Sequence, residues 1–120
     1  MVTVYGISNC DTIRKTRKWL DAHGVEYRFH DFRKDGLAPE LLTAWVDKLG
    51  WEVLLNKRGM TWRKLSDDEK ADIDAAKAIA LMLKYPAMIK RPVIDTGDEL
   101  IVGFNEQEIN EALGARGNPA

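Results

Sequence analysis

The chain has 120 residues, of which 45% are hydrophobic and 31% charged, a composition typical of one soluble globular domain with a modest core. Its 18 basic and 19 acidic residues leave a net charge of -1, which argues against a broad nucleic-acid interface. No apolar run approaches the ~20 residues that cross a bilayer, and no signal peptide is visible. The single cysteine allows no internal disulfide. We therefore expect a cytoplasmic protein that binds neither membranes nor nucleic acids.

The first third of the sequence predicts a β-α-β unit. Residues 2–6 alternate as a strand does and are rich in β-forming side chains. A helical pattern follows over 12–22, and Gly24 ends it as a C-cap glycine does. Residues 25–32 then predict a second strand. This order puts Cys10 at the carboxyl end of the first strand, the edge where open α/β sheets usually bind ligands.

The middle of the chain predicts a helical insertion over about residues 39–86. Proline is well tolerated in a first helical turn, and a Ser-x-x-Glu pattern is a capping box that starts a helix. In chain order the insertion contains a helix over 39–49 that begins at Pro39 and ends at Gly50, a loop over 56–59, an extended piece or turn over 61–64, a short helix opened by Ser66 and Glu69, and a helix over 75–85 that Pro86 ends.

The last third returns to strands. Segments 92–95 and 100–104 are rich in β-formers and flank a turn at 96–99, which predicts a hairpin. Asn105 then predicts the N-cap of a final helix over 106–113.

Residues 114–120 predict a frayed tail. The whole order is β-α-β, a helical insertion, then β-β-α. It predicts a single α/β domain over 1–120 with a four-stranded mixed sheet flanked by helices. We expect this domain to be a monomer.

Cys10 is the candidate nucleophile. At a strand-to-helix junction its sulfur lies near the first unpaired N–H groups of the helix, where the dipole favours an anion. Arg14 falls on the same helical face and adds a positive charge, so the thiol pKa is expected to fall from about 8.5 to roughly 3.5–7.5. A lone cysteine is more often a small buried apolar residue, but the polar neighbours Ser8, Asn9 and Asp11 favour the reactive thiol.

A second candidate element is Arg91-Pro92, directly before the third predicted strand. Proline cannot donate to a sheet ladder, so it is normally confined to an edge or to the first residue of a strand. A cis Pro92 exposes peptide groups with which a bound chain can pair, and Arg91 offers a forked donor to a carboxylate or an oxyanion. Taken in isolation, a trans proline and a surface arginine are the commoner interpretations.

The sequence predicts no metal site and no bound cofactor. His23 and His30 are seven residues apart, and Cys10 has no second soft ligand close to it in the sequence. Both histidines are interpreted as surface residues.

Three stretches together carry a family resemblance, namely YGISNCDTIRK over 5–15, RPV over 91–93 and VGFNEQEI over 102–109. With them the chain resembles the ArsC/Spx family over about residues 2–113. The spacing of Cys10 to Arg91-Pro92 makes the resemblance specific, because neither motif suffices alone. Within the family the chain is most similar to the YffB-type branch.

The resemblance implies a thioredoxin-like fold in which Pro92 is cis and faces the cysteine. In arsenate reductases of this family, the matching cysteine attacks arsenate and glutathione then resolves the adduct. Cys10 matches that nucleophile, Arg91 matches one of the arginines that hold the oxyanion, and Arg58 lies near the place of a second. A third basic residue is expected shortly after the last strand, but 103–106 contain none, which argues against arsenate reduction.

The Spx branch consists of transcription regulators that bind RNA polymerase, some of them switched by a Cys-x-x-Cys disulfide. This chain has Ile13 where the second cysteine would stand, so that redox switch is absent. Its ending over 104–109 is more similar to Spx than to arsenate reductase. Under this alternative RNA polymerase is the expected partner and Cys10 is vestigial.

The leading hypothesis is a glutathione-dependent thiol oxidoreductase. Cys10 attacks a mixed disulfide or another oxidised substrate, and Arg14 and the helix N-terminus hold the thiolate. Glutathione, as co-substrate, releases the adduct because the chain has no resolving cysteine. Glutathione-coupled arsenate reduction and an Spx-like role on RNA polymerase are the alternatives.

The neighbouring residues have expected roles in this hypothesis. Arg91, and Arg58 with it, hold a carboxylate of glutathione, and the backbone at Pro92 pairs with its peptide. Thr12 either donates a hydroxyl hydrogen bond to the sulfur or serves the helix start. Asn9 shapes the turn.

Overall fold

The computed structural model describes residues 2–115. Within it, residues 2–35 and 91–115 form one compact unit and Gly36–Lys90 form another, while the prediction of a single domain over 1–120 stays a prediction. Residues 116–120 of the predicted tail lie outside the described residues, and 114–115 belong to the last helix. None of the helices in the described part is long and apolar enough to cross a membrane.

The first unit contains a mixed sheet of four strands within the described residues, which are β1 (Val2–Gly6), β2 (Tyr27–Asp31), β3 (Val93–Asp95) and β4 (Leu100–Val102). Their order is β2-β1-β3-β4. β1 runs parallel to β2 and antiparallel to β3, and β3 and β4 form an antiparallel hairpin. The predicted α/β, thioredoxin-like arrangement with a four-stranded mixed sheet is therefore confirmed.

Between residues 2 and 115 the helices are α1 (Asp11–Ala22), α2 (Pro39–Leu49), α3 (Trp51–Leu54), α4 (Met60–Arg63), α5 (Asp67–Lys70), α6 (Ala75–Lys84), a 3-10 helix (Pro86–Met88) and α7 (Glu106–Ala115). The first and last of these belong to the unit that contains the sheet, and the others belong to the second unit.

Helices α1 and α7 form an apolar core with the sheet. Val2 and Val4 of β1 are buried with Leu20 of α1 and Ile109 of α7. Side chains alternate along a strand and recur every three to four residues along a helix, so each element presents one apolar side to this core. The core therefore fixes α1 against β1, the strand that leads to Cys10.

The second unit has its own apolar interior. Its buried side chains include Leu42, Trp45 and Val46 on α2 and Ala78, Leu81 and Met82 on α6. The backbone of Leu55 pairs with that of Ile89 in an antiparallel bridge. The capping box predicted at Ser66 and Glu69 is present and starts α5.

Three predicted strands are shorter in the structure. The strand predicted over 92–95 begins at Val93, because Pro92 has no N–H to donate to the sheet. The strand predicted over 25–32 begins only at Tyr27, because the N–H of Val25 donates to the carbonyl of Leu20 and completes the end of α1. The strand predicted over 100–104 ends at Val102, because Gly103 turns the chain with a φ of 90°.

Segment 51–64 contains two short helices, α3 and α4, that the sequence did not predict. Of the two alternatives expected over 61–64, the extended piece is wrong, because Met60–Arg63 form a single helical turn that continues through the bond from the Lys64 N–H to the Met60 carbonyl. The last helix also runs two residues further than predicted, to Ala115.

Candidate active site

Cys10 is the N-cap residue of α1, as its place at the strand-to-helix junction predicted. Its N–H donates to the carbonyl of Ile7 at 3.2 Å, and its carbonyl accepts the N–H of Arg14 at 3.0 Å, which is the first bond of the helix. The cysteine is a free thiol of intermediate exposure. It is therefore partly exposed to solvent.

Gly6 lets α1 begin close to the end of β1. A Cβ at Gly6 would collide with the side chain of Ile13, which is fully buried. Ile13 is the third residue of α1, so its N–H is one of the helix donors that have no carbonyl partner within the helix. The packing of Ile13 against Gly6 thus fixes where these donors lie relative to Cys10.

The surroundings of the sulfur favour the thiolate. Partial burial raises the pKa of Cys10, but the N–H groups of Ile13 and Thr12 and then the charge and hydrogen bond of Arg91 outweigh it, so the net pKa lies below its ordinary value. The Cys10 side chain makes no capping hydrogen bond. These N–H groups therefore act mainly on the ionised sulfur, as nearby dipoles pointing at a negative charge.

Arg91 and Pro92 directly precede β3. Their peptide bond is cis, as the family resemblance implied, and the guanidinium of Arg91 is a hydrogen-bond donor to the Cys10 sulfur. Pro92 has no N–H, and its carbonyl already accepts the N–H of Gly103 at 2.8 Å. The expected pairing of the Pro92 backbone with a bound peptide stays a prediction.

Arg14 has other partners than the sequence indicated. Its guanidinium forms an ion pair with Asp11 at 2.8 Å and donates to the carbonyl of Asn9 at 3.3 Å, on an exposed surface. The cation that most lowers the pKa of Cys10 is Arg91. The expectation that Arg14 adds a positive charge that holds the thiolate therefore stays a prediction, and the structure adds Arg91 as a cation beside the sulfur.

Thr12 and Asn9 contribute to the surroundings of Cys10 through their backbone groups. Thr12 acts on the sulfur with its N–H, while its carbonyl accepts the hydroxyl of Thr16 at 2.7 Å. Asn9 is exposed, and its carbonyl is the acceptor for Arg14. Asn9 thus contributes to the shape of the turn before α1.

Arg58 lies in the other unit, in the loop between α3 and α4. Its N–H donates to the side chain of Asn56 at 3.0 Å. Arg58 lines a groove of about 380 Å³ whose other cations are Lys57 and Lys90. The structure therefore brings Cys10, Thr12 and Arg91 together in one unit, and the predicted role of Arg58 stays a prediction.

The sequence analysis missed Asp31, the buried last residue of β2. Its carboxylate accepts the N–H of Ser8 at 3.1 Å and the N–H groups of Arg33 and Lys34 at 2.8 and 3.3 Å. The available signal is an acidic residue at the carboxyl end of a strand parallel to the one that leads to Cys10. In residues 2–115 no group of three or more His, Cys, Asp or Glu side chains has the arrangement of a metal site.

Several known proteins are similar to this chain over most of its length. A solved structure of a YFFB protein superposes with a TM-score of 0.91 at 48% identity, covering 94% of this chain and 99% of the other. The solution structure of an arsenate reductase (ArsC) related protein from Brucella melitensis has a TM-score of 0.76 and 46% identity, with 93% of each chain covered. The global transcriptional regulator Spx of Streptococcus mutans is 30% identical over 115 residues, which are 94% of this chain and 83% of the regulator.

The match to a family model is equally broad. Residues 5–112, nearly the whole chain, match the model described as the ArsC family. The matched range includes Cys10, Arg91 and Pro92, whose spacing makes the resemblance specific. This chain belongs to the ArsC family.

Proposed function

We propose that this protein is a glutathione-dependent thiol oxidoreductase in which Cys10 is the nucleophile. The observation that carries the proposal is the place of the sulfur at the N-terminus of α1, beside the Arg91 guanidinium, where its pKa is lowered. The thiolate, not the thiol, attacks a disulfide. Membership of the ArsC family and the likeness to an arsenate reductase related protein support chemistry at a cysteine.

The reaction has two exchanges. The Cys10 thiolate attacks the glutathione sulfur of a substrate mixed disulfide, so that a Cys10–glutathione disulfide forms and the substrate leaves as a thiolate that water protonates. The thiolate of a second glutathione then attacks the glutathione sulfur of this adduct, which forms glutathione disulfide and regenerates the Cys10 thiolate. In sum, one substrate thiol is released for each glutathione oxidised.

Glutathione is the proposed resolving thiol because Cys10 is the only cysteine of the chain. No bound cofactor is needed for either exchange. A guanidinium has five N–H donors in a fork, so Arg91 can contact the Cys10 sulfur and a glutathione carboxylate at the same time. Arg91 is therefore the proposed anchor for the co-substrate.

A role in transcription is the second candidate function. It is supported by the 30% identity to a protein named global transcriptional regulator Spx. Binding to RNA polymerase would not depend on a reactive thiol, so this function survives the loss of Cys10. Arsenate reduction has less support, because the stretch 103–106 that follows β4 contains no basic residue.

A turnover assay tests the proposed function. The protein is mixed with a glutathionylated peptide and glutathione, and glutathione disulfide is followed by coupling to glutathione reductase. We expect turnover by the wild type, a Cys10–glutathione adduct in the intact mass, and neither in Cys10→Ser. Absence of both turnover and adduct in the wild type would contradict the proposal. Arsenate in place of the peptide tests arsenate reduction in the same assay.

A further inference from the structure

The Asp31 carboxylate joins two turns of the first unit. One oxygen accepts the N–H of Ser8, in the loop that leads from β1 to Cys10, and the other accepts N–H groups of the turn that follows β2. Asp31 is only 4% exposed. In the sheet register it stands opposite Gly6, the last residue of β1. The carboxylate therefore fastens together the segments that leave the carboxyl ends of two parallel strands.

The Asp31 carboxylate accepts several hydrogen bonds. A buried carboxylate is costly unless hydrogen-bond donors surround it. Burial raises the pKa of Asp31, but the N–H of Arg33, the N–H and hydroxyl of Ser8 and the N–H of Lys34 outweigh it and hold the pKa below its ordinary value. Asp31 is thus a fixed anionic acceptor at neutral pH.

The strand pairing does not require these bonds. The N–H of Phe32 already donates to the carbonyl of Gly6 at 2.9 Å and extends the pairing of β2 with β1. The bond from Ser8 to Asp31 instead serves the loop, in which Ser8 and Asn9 are exposed and have little apolar packing to hold them.

We propose that Asp31 is a positioning residue for Cys10, which holds the loop through Ser8 so that the sulfur stays at the N-terminus of α1 and beside Arg91. Ser8 is two residues before Cys10, and the turn between them is closed by the bond from the Cys10 N–H to the Ile7 carbonyl. Loss of the Asp31 acceptor leaves this turn with one anchor fewer. The proposal rests on the proposed function in that Cys10 is taken as the reacting group.

The consequence is a change in thiol reactivity. Hydrogen bonds and charges stabilise the thiolate only at short distance, so a loosened loop raises the thiol pKa and lowers the thiolate fraction. A residue that served only the stability of the fold would lower the melting temperature and leave the thiol pKa unchanged. The two roles are therefore separable by experiment.

The test compares Asp31→Ala and Asp31→Asn with Asp35→Asn as a matched control. The Asp35 carboxylate accepts the N–H of Asp31 at 3.0 Å and so belongs to the same turn. Within the described residues, no hydrogen bond joins Asp35 to the loop over 7–9. The apparent pKa of Cys10 is measured from the pH dependence of alkylation by iodoacetamide, well below the melting temperature of each variant. Asp31→Ala is expected to raise this pKa by about one unit, which slows alkylation about tenfold at a pH below both values. Asp31→Asn keeps one oxygen acceptor and is expected to raise the pKa less, and Asp35→Asn is expected to leave it unchanged.

The outcomes separate this inference from the proposed function. If Asp31→Asn, or a folded Asp31→Ala, keeps the wild-type thiol pKa, Asp31 does not position Cys10 and the inference is wrong. An equal rise in Asp35→Asn also overturns it, because the effect would then belong to the turn as a whole. If the wild type forms no glutathione adduct but the pKa still rises in the Asp31 variants alone, the inference holds and the proposed function fails.

Discussion

The starts of α1 and α6 show two uses of the same helix chemistry. At α6 the side chain of Asp74 accepts the N–H of Lys77 at 2.8 Å, which satisfies one of the unpaired donors of the helix. At α1 the N-cap residue is Cys10, and its side chain makes no such bond. Helix α1 therefore lacks a stabilising side-chain cap, and its first N–H groups lie near a sulfur that is reactive when ionised.

The start of α7 supports this comparison. There Asn105 accepts the N–H of Glu108 at 2.9 Å, as the sequence predicted for an N-cap asparagine. At α1 an arginine from a distant part of the chain, Arg91, stands beside the N-cap side chain. The lesson is that a helix start without a polar cap and with a neighbouring cation is organised for an anion.

The largest expected effect follows from removal of that cation. Arg91→Gln keeps hydrogen-bond donors but loses the charge beside Cys10, so the thiol pKa is expected to rise by about one unit. Arg14→Gln is the matched control, because Arg14 is paired with Asp11, and it is expected to change the thiol pKa little. The pH dependence of iodoacetamide alkylation measures both variants. An equal rise in both would show that Arg91 has no special place at the thiolate.

A smaller effect, on the free energy of unfolding, is expected from substitutions of the N-cap residues. Asp74→Ala and Asn105→Ala are each expected to lower the free energy of unfolding by about 1 kcal/mol, because each removes a side-chain acceptor at a helix start. Cys10→Ser gives α1 an acceptor that it lacks and is expected to raise this free energy by roughly 0.5 kcal/mol. Urea unfolding at a pH where the thiol is neutral checks all three variants. Destabilisation by Cys10→Ser as large as that by Asp74→Ala would contradict the comparison.

The smallest expected effect is a pH dependence of stability that belongs to Cys10. Because its pKa is lowered in the folded state, the unfolded chain binds more protons between the lowered pKa and the ordinary thiol pKa, and stability rises with pH across that window. This contribution is complete above the ordinary value and is lost as the pH falls through the lowered one. Wild type and Cys10→Ser are compared by urea unfolding over the window, and the rise is expected only in the wild type. Parallel curves for the two proteins would indicate that folding does not shift the thiol pKa.

The place of Cys10 could be predicted because its causes are local. A strand pattern ends and a helix pattern begins within ten residues, so the junction is visible in the sequence alone. The bounds of β1 and α2 were predicted for the same reason, and both agree with the structure. The four-residue helices α3 and α4 are too short to show a helical period and were missed, whereas α5, which is equally short, was found through its capping box.

The partners of Cys10 could not be predicted in the same way. Arg14 is near Cys10 in the sequence, but its guanidinium forms an ion pair with Asp11, three residues earlier on the same helix. Arg91 reaches the sulfur only because β3 pairs with β1 in the sheet, and the family resemblance, not the local pattern, pointed to it. Asp31 contacts Ser8 through the parallel pairing of β2 with β1, so the acidic residue at the end of a predicted strand gains its meaning only from the tertiary arrangement.

The most direct test of the account is the pH dependence of Cys10 alkylation by iodoacetamide in the wild type, before and after incubation with glutathione disulfide. We predict an apparent pKa clearly below the ordinary value of about 8.5, and a thiol that glutathione disulfide blocks and reduced glutathione restores. A pKa at or above the ordinary value, with full alkylation after the incubation, would contradict the claim that the start of α1 is organised for a reactive thiolate.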